Sequence, residues 1–141
     1  MERDLGNGYV LDDDRARIDR AAVHDFLSRE AYWALGRSRE VVEETIDGAA
    51  RVVGLYHDGW QVGFVRIISD GHTVAYVADV YILPPHRRRG LGSEMFRFAV
   101  LEGPLTDVRK WGLHTRDAHD LYSRFGFGDP DGRYMEWWNL T

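Results

Sequence analysis

The chain has 141 residues, 18 Lys and Arg against 23 Asp and Glu, a formal net charge of −5, and no cysteine. At roughly 100–200 residues per domain, that length implies one single domain over residues 1–141, and 44% hydrophobic residues supply its core. The composition excludes disulfides, cysteine-ligated zinc and a thiol nucleophile, shows no run of about 18 apolar residues and no secretory pattern, and is too acidic for general nucleic-acid binding, so a cytoplasmic protein without membrane or nucleic-acid partners is expected.

Residues 8–12 read as a short strand running into an acidic turn at Asp12, Asp13 and Asp14. Ile18, Ala21, Ala22 and Phe26 recur at helical spacing over residues 18–27, and a second helix is expected over residues 39–46, capped by Ser38. An aromatic connector, Tyr32-Trp33-Ala34-Leu35-Gly36-Arg37-Ser38, lies between them. The period then changes. Residues 51–57, 60–69 and 72–83 read as three strands separated by Asp58-Gly59 and Asp70-Gly71, an antiparallel meander that Pro84-Pro85 ends. A helix over 91–101, a strand over 111–115, a short helix over 117–125 and a closing strand over 133–140 complete the order. The pattern predicts an α/β (α+β) domain with a mixed sheet rather than an alternating doubly wound one.

Chemistry concentrates where the third meander strand ends. The stretch Asp79-Val80-Tyr81-Ile82-Leu83-Pro84-Pro85-His86-Arg87-Arg88-Arg89-Gly90-Leu91-Gly92-Ser93 passes from strand through a basic, glycine-containing loop into a helix. Helix N-termini present unpaired N–H groups and the positive end of the helix dipole. Glycines there let the backbone approach a phosphate closely. A phosphate or pyrophosphate is therefore the ligand class expected, although neither a P-loop nor a Gly-x-Gly-x-x-Gly fingerprint is present.

Arg87-Arg88-Arg89-Gly90-Leu91-Gly92 after a strand resembles the signature of the GCN5-related N-acetyltransferases (GNAT), with Arg88 where that family commonly has glycine. The resemblance implies a GNAT fold, a mixed, mostly antiparallel sheet flanked by helices. It implies acetyl-coenzyme A as donor, its pyrophosphate held by residues Arg87, Arg88, Arg89, Gly90, Leu91, Gly92 and Ser93. It also implies that the backbone of Tyr81, Ile82 and Leu83 pairs with the pantetheine arm, the Ile82 amide polarising the thioester carbonyl. A second segment, Ala118-His119-Asp120-Leu121-Tyr122-Ser123-Arg124-Phe125-Gly126-Phe127, resembles the family segment whose tyrosine protonates the departing thiolate. On that resemblance Tyr122 is the general acid, and Thr115 stands where members often carry a coenzyme-contacting Asn. The connector 32–38, Val62-Gly63-Phe64-Val65-Arg66 and Thr115-Arg116-Asp117-Ala118-His119 resemble a subgroup of small, single-domain bacterial members.

Acetyl transfer to an amine needs the neutral amine, and a free alkylamine of pKa about 10 is almost wholly protonated at pH 7. Asp79 carries two readings of equal weight: the base, or a buried carboxylate tying loops together. Histidine as a residue type suits proton transfer near neutral pH, but His114 and His119 read as structural or surface histidines. Tyr32, Trp33, Arg66 and Tyr76, with Arg37, are the expected acceptor-binding residues: the aromatics suit a cationic amine and the arginines a carboxylate. No metal-ligand spacing occurs, so no metal is expected. Trp137 and Trp138 would lie on opposite faces of the last strand, one in the core and one covered in a homodimer. A coenzyme-binding sensor without chemistry is the alternative to an N-acetyltransferase acting on a small amine-bearing acceptor.

Overall fold

The computed structural model of the chain describes residues 1–139. It opens with a hairpin of β1 (Glu2–Gly6) and β2 (Tyr9–Asp12) where the sequence predicts one strand. In β1 only Leu5 is a large apolar residue, so this edge strand is held by its backbone ladder and leaves no hydrophobic alternation to read. After a single helical turn come α1 (Arg20–Arg29) and α2 (Arg39–Gly48). The Asp19 carboxylate accepts from the Ala22 amide at 3.0 Å, and the Ser38 hydroxyl accepts from the Val41 amide at 3.2 Å, so both helices start on side-chain caps.

The meander follows as expected: β3 (Arg51–His57), β4 (Trp60–Ser69) and β5 (Val74–Ile82). Asp58 and Gly59 both take positive φ, 49° and 88°, the geometry a two-residue hairpin requires. Then come α3 (Leu91–Leu101), β6 (Lys110–Leu113) and α4 (His119–Ser123). The six strands lie side by side in chain order, antiparallel except for the parallel pair β5–β6. This is the mixed, mostly antiparallel sheet the sequence implies.

The closing strand expected over 133–140 is not formed: residues 133–139 have no regular structure, and Leu140 lies outside the described residues. Among the described residues no ladder joins this segment to the sheet. Instead the Tyr134 hydroxyl and the Trp138 indole nitrogen donate to Glu136 at 2.9 and 3.0 Å, drawing it into a local knot. Trp137 and Trp138 are 83% and 69% exposed, so neither ring joins the core.

Apolar side chains cover the sheet on both faces. On one, Phe96, Phe98, Met95 and Ala99 of α3 pack on Leu55, Val65, Ile67 and Val77. On the other, Val23, Phe26, Leu27, Val42 and Ile46 of α1 and α2 pack on Val52, Phe64 and Tyr81, with Phe26 stacked on Tyr81 at 4.0 Å. Arg51, buried on β3, fixes the far end of α3. Its guanidinium donates to the carbonyls of Phe98, Ala99 and Glu102 at 2.7–2.9 Å and pairs with Asp13. Cationic capping of those last carbonyls suits the helix dipole and points the N-terminus of α3 at the end of β5.

Candidate active site

Two irregularities in β5 create the site. Between the pairs Phe64–Tyr81 and Arg66–Ala78, β5 has one more residue than β4, a bulge centred on Asp79, whose φ is +55°. The bulge exchanges faces: Ala75 and Val77 lie with the α3 core, as do Val80 and Ile82 beyond it, whereas Tyr81 turns to α1 and α2. Secondly, β6 pairs with β5 only from Val74 to Val77, while β5 runs on to Ile82. The two parallel strands therefore part beyond Val77 and Leu113, leaving a cleft at the edge of β5.

The basic loop closes one end of this cleft. Arg88 and Gly90 both take positive φ, 65° and 74°, and the loop enters α3 at Leu91. Among the described residues no protein acceptor pairs with the amides of residues 88–93. That run of free donors at a helix N-terminus is an anion cradle. Arg87 donates from Nε to the Ile82 carbonyl at 2.7 Å, tying the loop back onto the strand. The Arg87, Arg88 and Arg89 side chains stay exposed, adding positive charge around the cradle.

Tyr122 stands on the α3 side. Its ring packs 5.1 Å from Phe96 and 6.3 Å from Phe127, while Phe125 sits 4.8 Å from Phe96, so one α3 aromatic anchors all of α4. The Tyr122 hydroxyl makes no protein hydrogen bond, yet only the Tyr56 hydroxyl is both sealed and unpaired among the described residues; the Tyr122 oxygen thus reaches open space. Burial, and then nearby Asp117 and Tyr32, push its phenol above the ordinary range. The Thr115 hydroxyl accepts from the Ala118 amide at 2.9 Å, a local turn that starts the α4 segment.

The opposite face, toward α1 and α2, gathers the expected acceptor residues around Asp79. Its side chain is 2% exposed and accepts from Trp33 Nε1 at 2.8 Å, Arg37 Nη1 at 3.0 Å and Arg66 Nε at 2.8 Å. Both carboxylate oxygens are thus engaged, which is the loop-tying arrangement. Tyr32 lies edge-on to Trp33 at 5.1 Å, and the Arg116 guanidinium already covers its ring at 3.9 Å. Tyr76, beside Arg66 and Asp79, bonds to His114 Nδ1. No group of three His, Asp or Glu side chains positioned to hold a metal occurs among the described residues.

Comparison with known proteins decides the family. Residues 14–127 match the model of the acetyltransferase (GNAT) family. The chain belongs to that family. The crystal structure of a candidate acetyltransferase of the GNAT family from Xanthomonas campestris superposes with a TM-score of 0.88, at 34% identity over 93% of each chain. A Gibberella zeae protein named as a candidate acetyltransferase is 38% identical over 73% of this chain, which spans 58% of that relative's length. A candidate acetyltransferase of Clostridium acetobutylicum, solved with acetyl-coenzyme A, shares the fold, with a TM-score of 0.67 at 17% identity over 100% of this chain and 96% of its own.

Within this GNAT domain, Tyr81, Ile82, Leu83 and the loop residues Arg87 to Ser93 all line the stretch from cleft to cradle, and Tyr32, Trp33, Arg66 and Tyr76 meet on one face. Sequence reasoning missed Glu136 and Arg116, whose partners His114 and Tyr32 are distant in the chain or across an element. No local spacing marks either residue. No helix among the described residues is long and apolar enough to cross a membrane.

Proposed function

We propose that the chain is an N-acetyltransferase that moves the acetyl group of acetyl-coenzyme A to a primary amine of a small molecule or peptide by direct attack in a ternary complex. The observation that carries this reading is the run of unpaired amides at residues 88–93, opening onto the β5–β6 cleft with Tyr122 on one side and the Asp79 cluster on the other.

In this reading the amides of the loop and the arginines beside them hold the pyrophosphate, and Thr115 lies along the coenzyme's path. The edge of β5 at Tyr81, Ile82 and Leu83 takes the pantetheine arm. The amine nitrogen attacks the thioester carbon, a C–N bond forms, and the oxygen's charge is met by the Ile82 amide. The C–S bond then breaks, the thiolate takes the Tyr122 proton, and the proton that the nitrogen sheds in becoming an amide returns through water to Tyr122. A phenol pushed up by burial keeps that proton through neutral and mildly alkaline pH, so the acid is present when the thiolate needs it. Without a cysteine there is no acyl-thiol intermediate in the protein, which favours direct transfer.

Asp79 acts here as a positioning residue, because its oxygens already serve three donors and it holds Trp33, Arg37 and Arg66 against the acceptor. Tyr32, Trp33, Arg66 and Tyr76 form the acceptor wall. The exposed Trp137 and Trp138 support a homodimer contact, and exclusion chromatography giving a clean monomer contradicts it.

Thiol release with a panel of amines tests the assignment, and the cysteine-free chain gives no background in that assay. Tyr122→Phe is expected to lower kcat about 100-fold while leaving the thermal shift with acetyl-coenzyme A unchanged. Unchanged thiol release in Tyr122→Phe contradicts Tyr122 as the acid, and a wild type that shifts with the coenzyme but releases no thiol is the sensor, not the enzyme.

A further inference from the structure

Opposite Tyr122, at the throat where β5 and β6 part, three side chains from distant parts of the chain form a hydrogen-bonded line. Tyr76 pairs with Gly112 on the next-to-last rung of the parallel ladder, and His114 is the first residue beyond β6. The Tyr76 hydroxyl lies 2.5 Å from His114 Nδ1, and His114 Nε2 lies 3.0 Å from a Glu136 oxygen. A carboxylate can only accept, so Nε2 carries the proton and donates to Glu136. Nδ1 is then the free acceptor, and Tyr76 donates to it. The Tyr76 oxygen keeps lone pairs of its own. It also shares a face with Arg66, Trp33 and Asp79, where the acceptor wall stands.

We propose that Tyr76, His114 and Glu136 form the path by which the acceptor amine gives up its proton. Tyr76 is the residue that touches the amine; His114 and Glu136 act through it as positioning residues. The inference rests on the acetyl-transfer reading above and assigns that reaction the base that Asp79, fully engaged, does not provide. The ammonium N–H proton passes to the Tyr76 oxygen as the Tyr76 proton passes to Nδ1. This leaves a neutral amine and an imidazolium paired with Glu136, and the amine lone pair then forms the C–N bond. The imidazolium afterwards releases its proton to water, so the overall reaction consumes acetyl-coenzyme A and ammonium and yields amide, free thiol and one proton.

The charges facing this path come from every neighbouring element. Arg66 of β4 and Asp79 of β5 flank Tyr76 as an ion pair, Tyr32 of the connector adds a neutral phenol, and Arg116 lies over Tyr32. Glu136 is further fixed by donors from Tyr134 and Trp138, which hold its carboxyl below the usual range and keep it charged. The irregular tail thus has a function that a strand would not give it: it delivers one carboxylate to His114.

The test follows thiol release across a set of aliphatic amines, polyamines, amino acids and short peptides, from about pH 6.5 to 9.5, for the wild type, Tyr76→Phe, His114→Gln and Glu136→Gln. At pH 7, kcat/KM for Tyr76→Phe and His114→Gln is expected to fall about 100-fold, with a smaller fall for Glu136→Gln. The loss should close toward high pH, where free amine of pKa about 10 is plentiful. The thermal shift with acetyl-coenzyme A should stay as in the wild type. Histidine ¹⁵N spectra should show the Nε2-protonated form of His114. A loss of equal size at every pH, no loss at all, or an Nδ1-protonated His114 overturns the relay alone. A wild type that shows no thermal shift with acetyl-coenzyme A, or that shifts but acetylates none of the amines, overturns the acetyl-transfer reading beneath it.

Discussion

On the loop side of the cleft, binding is prepared by backbone. Six consecutive amides at 88–93 lie unpaired at a helix N-terminus, and the chain reaches that shape through positive φ at Arg88 and Gly90. On the acceptor side it is prepared by side chains, with Asp79 collecting Trp33, Arg37 and Arg66, and His114 collecting Tyr76 and Glu136. A backbone site tolerates changes of side chain and fails when its entrance is blocked or recharged. A side-chain network built on a buried charge fails when one member is removed, because the partners are left unmatched, as the arginines around Asp79 would be.

Asp79→Asn strains that contrast most strongly. Asn tolerates the left-handed conformation at this position, so the substitution changes charge and leaves the bulge intact. Two guanidiniums lose their counter-ion, and denaturant titration should report a loss of about 3 kcal/mol. A loss under about 1 kcal/mol would mean that solvent already screens the cluster and that the two sides differ less than their geometry implies.

This difference also explains what was legible. The loop is written in neighbouring residues, Arg87 to Ser93, and its turn conformations follow from local sterics, so reading along the chain finds it. The meander is likewise local, set by Asp58-Gly59 and by alternation. The partners of Asp79 lie on a connector and another strand, and Glu136 sits in a segment whose aromatic composition mimics a strand. There the composition misleads: Tyr134, Trp137 and Trp138 are strand-favouring residues, yet residues 133–139 have no ladder to join, and their order comes from hydrogen bonds to Glu136. The edge strand β1 is missed for the converse reason, having a ladder and almost no apolar pattern.

A smaller effect sharpens the comparison from the backbone side. Arg88 bears a side chain at φ +65°, a conformation that costs a non-glycine residue roughly 1 kcal/mol. Arg88→Gly should relieve part of that, offset by the freedom glycine gains in the unfolded chain, about 0.4–1 kcal/mol, for a net change within about 0.5 kcal/mol of zero. Affinity for acetyl-coenzyme A should barely change, since the amides remain. A large fall in affinity would show that the Arg88 side chain, not the cradle, holds the anion.

Thermal unfolding of the wild type and of Gly92→Glu, with acetyl-coenzyme A, coenzyme A and ATP, reports on whether the amides of residues 88–93 hold the coenzyme. A Cβ at Gly92 meets only the Ile82 methyl at 3.8 Å, so the variant should fold, but it places a carboxylate in the mouth of the cradle. Ligand at 100 times its Kd stabilises the native state by about 2.7 kcal/mol, several degrees for a chain of this size. That shift is expected with both coenzymes in the wild type, with no shift for ATP and none in Gly92→Glu. A wild type that shifts with no coenzyme, or a variant that shifts as the wild type does, would contradict that role of the amides.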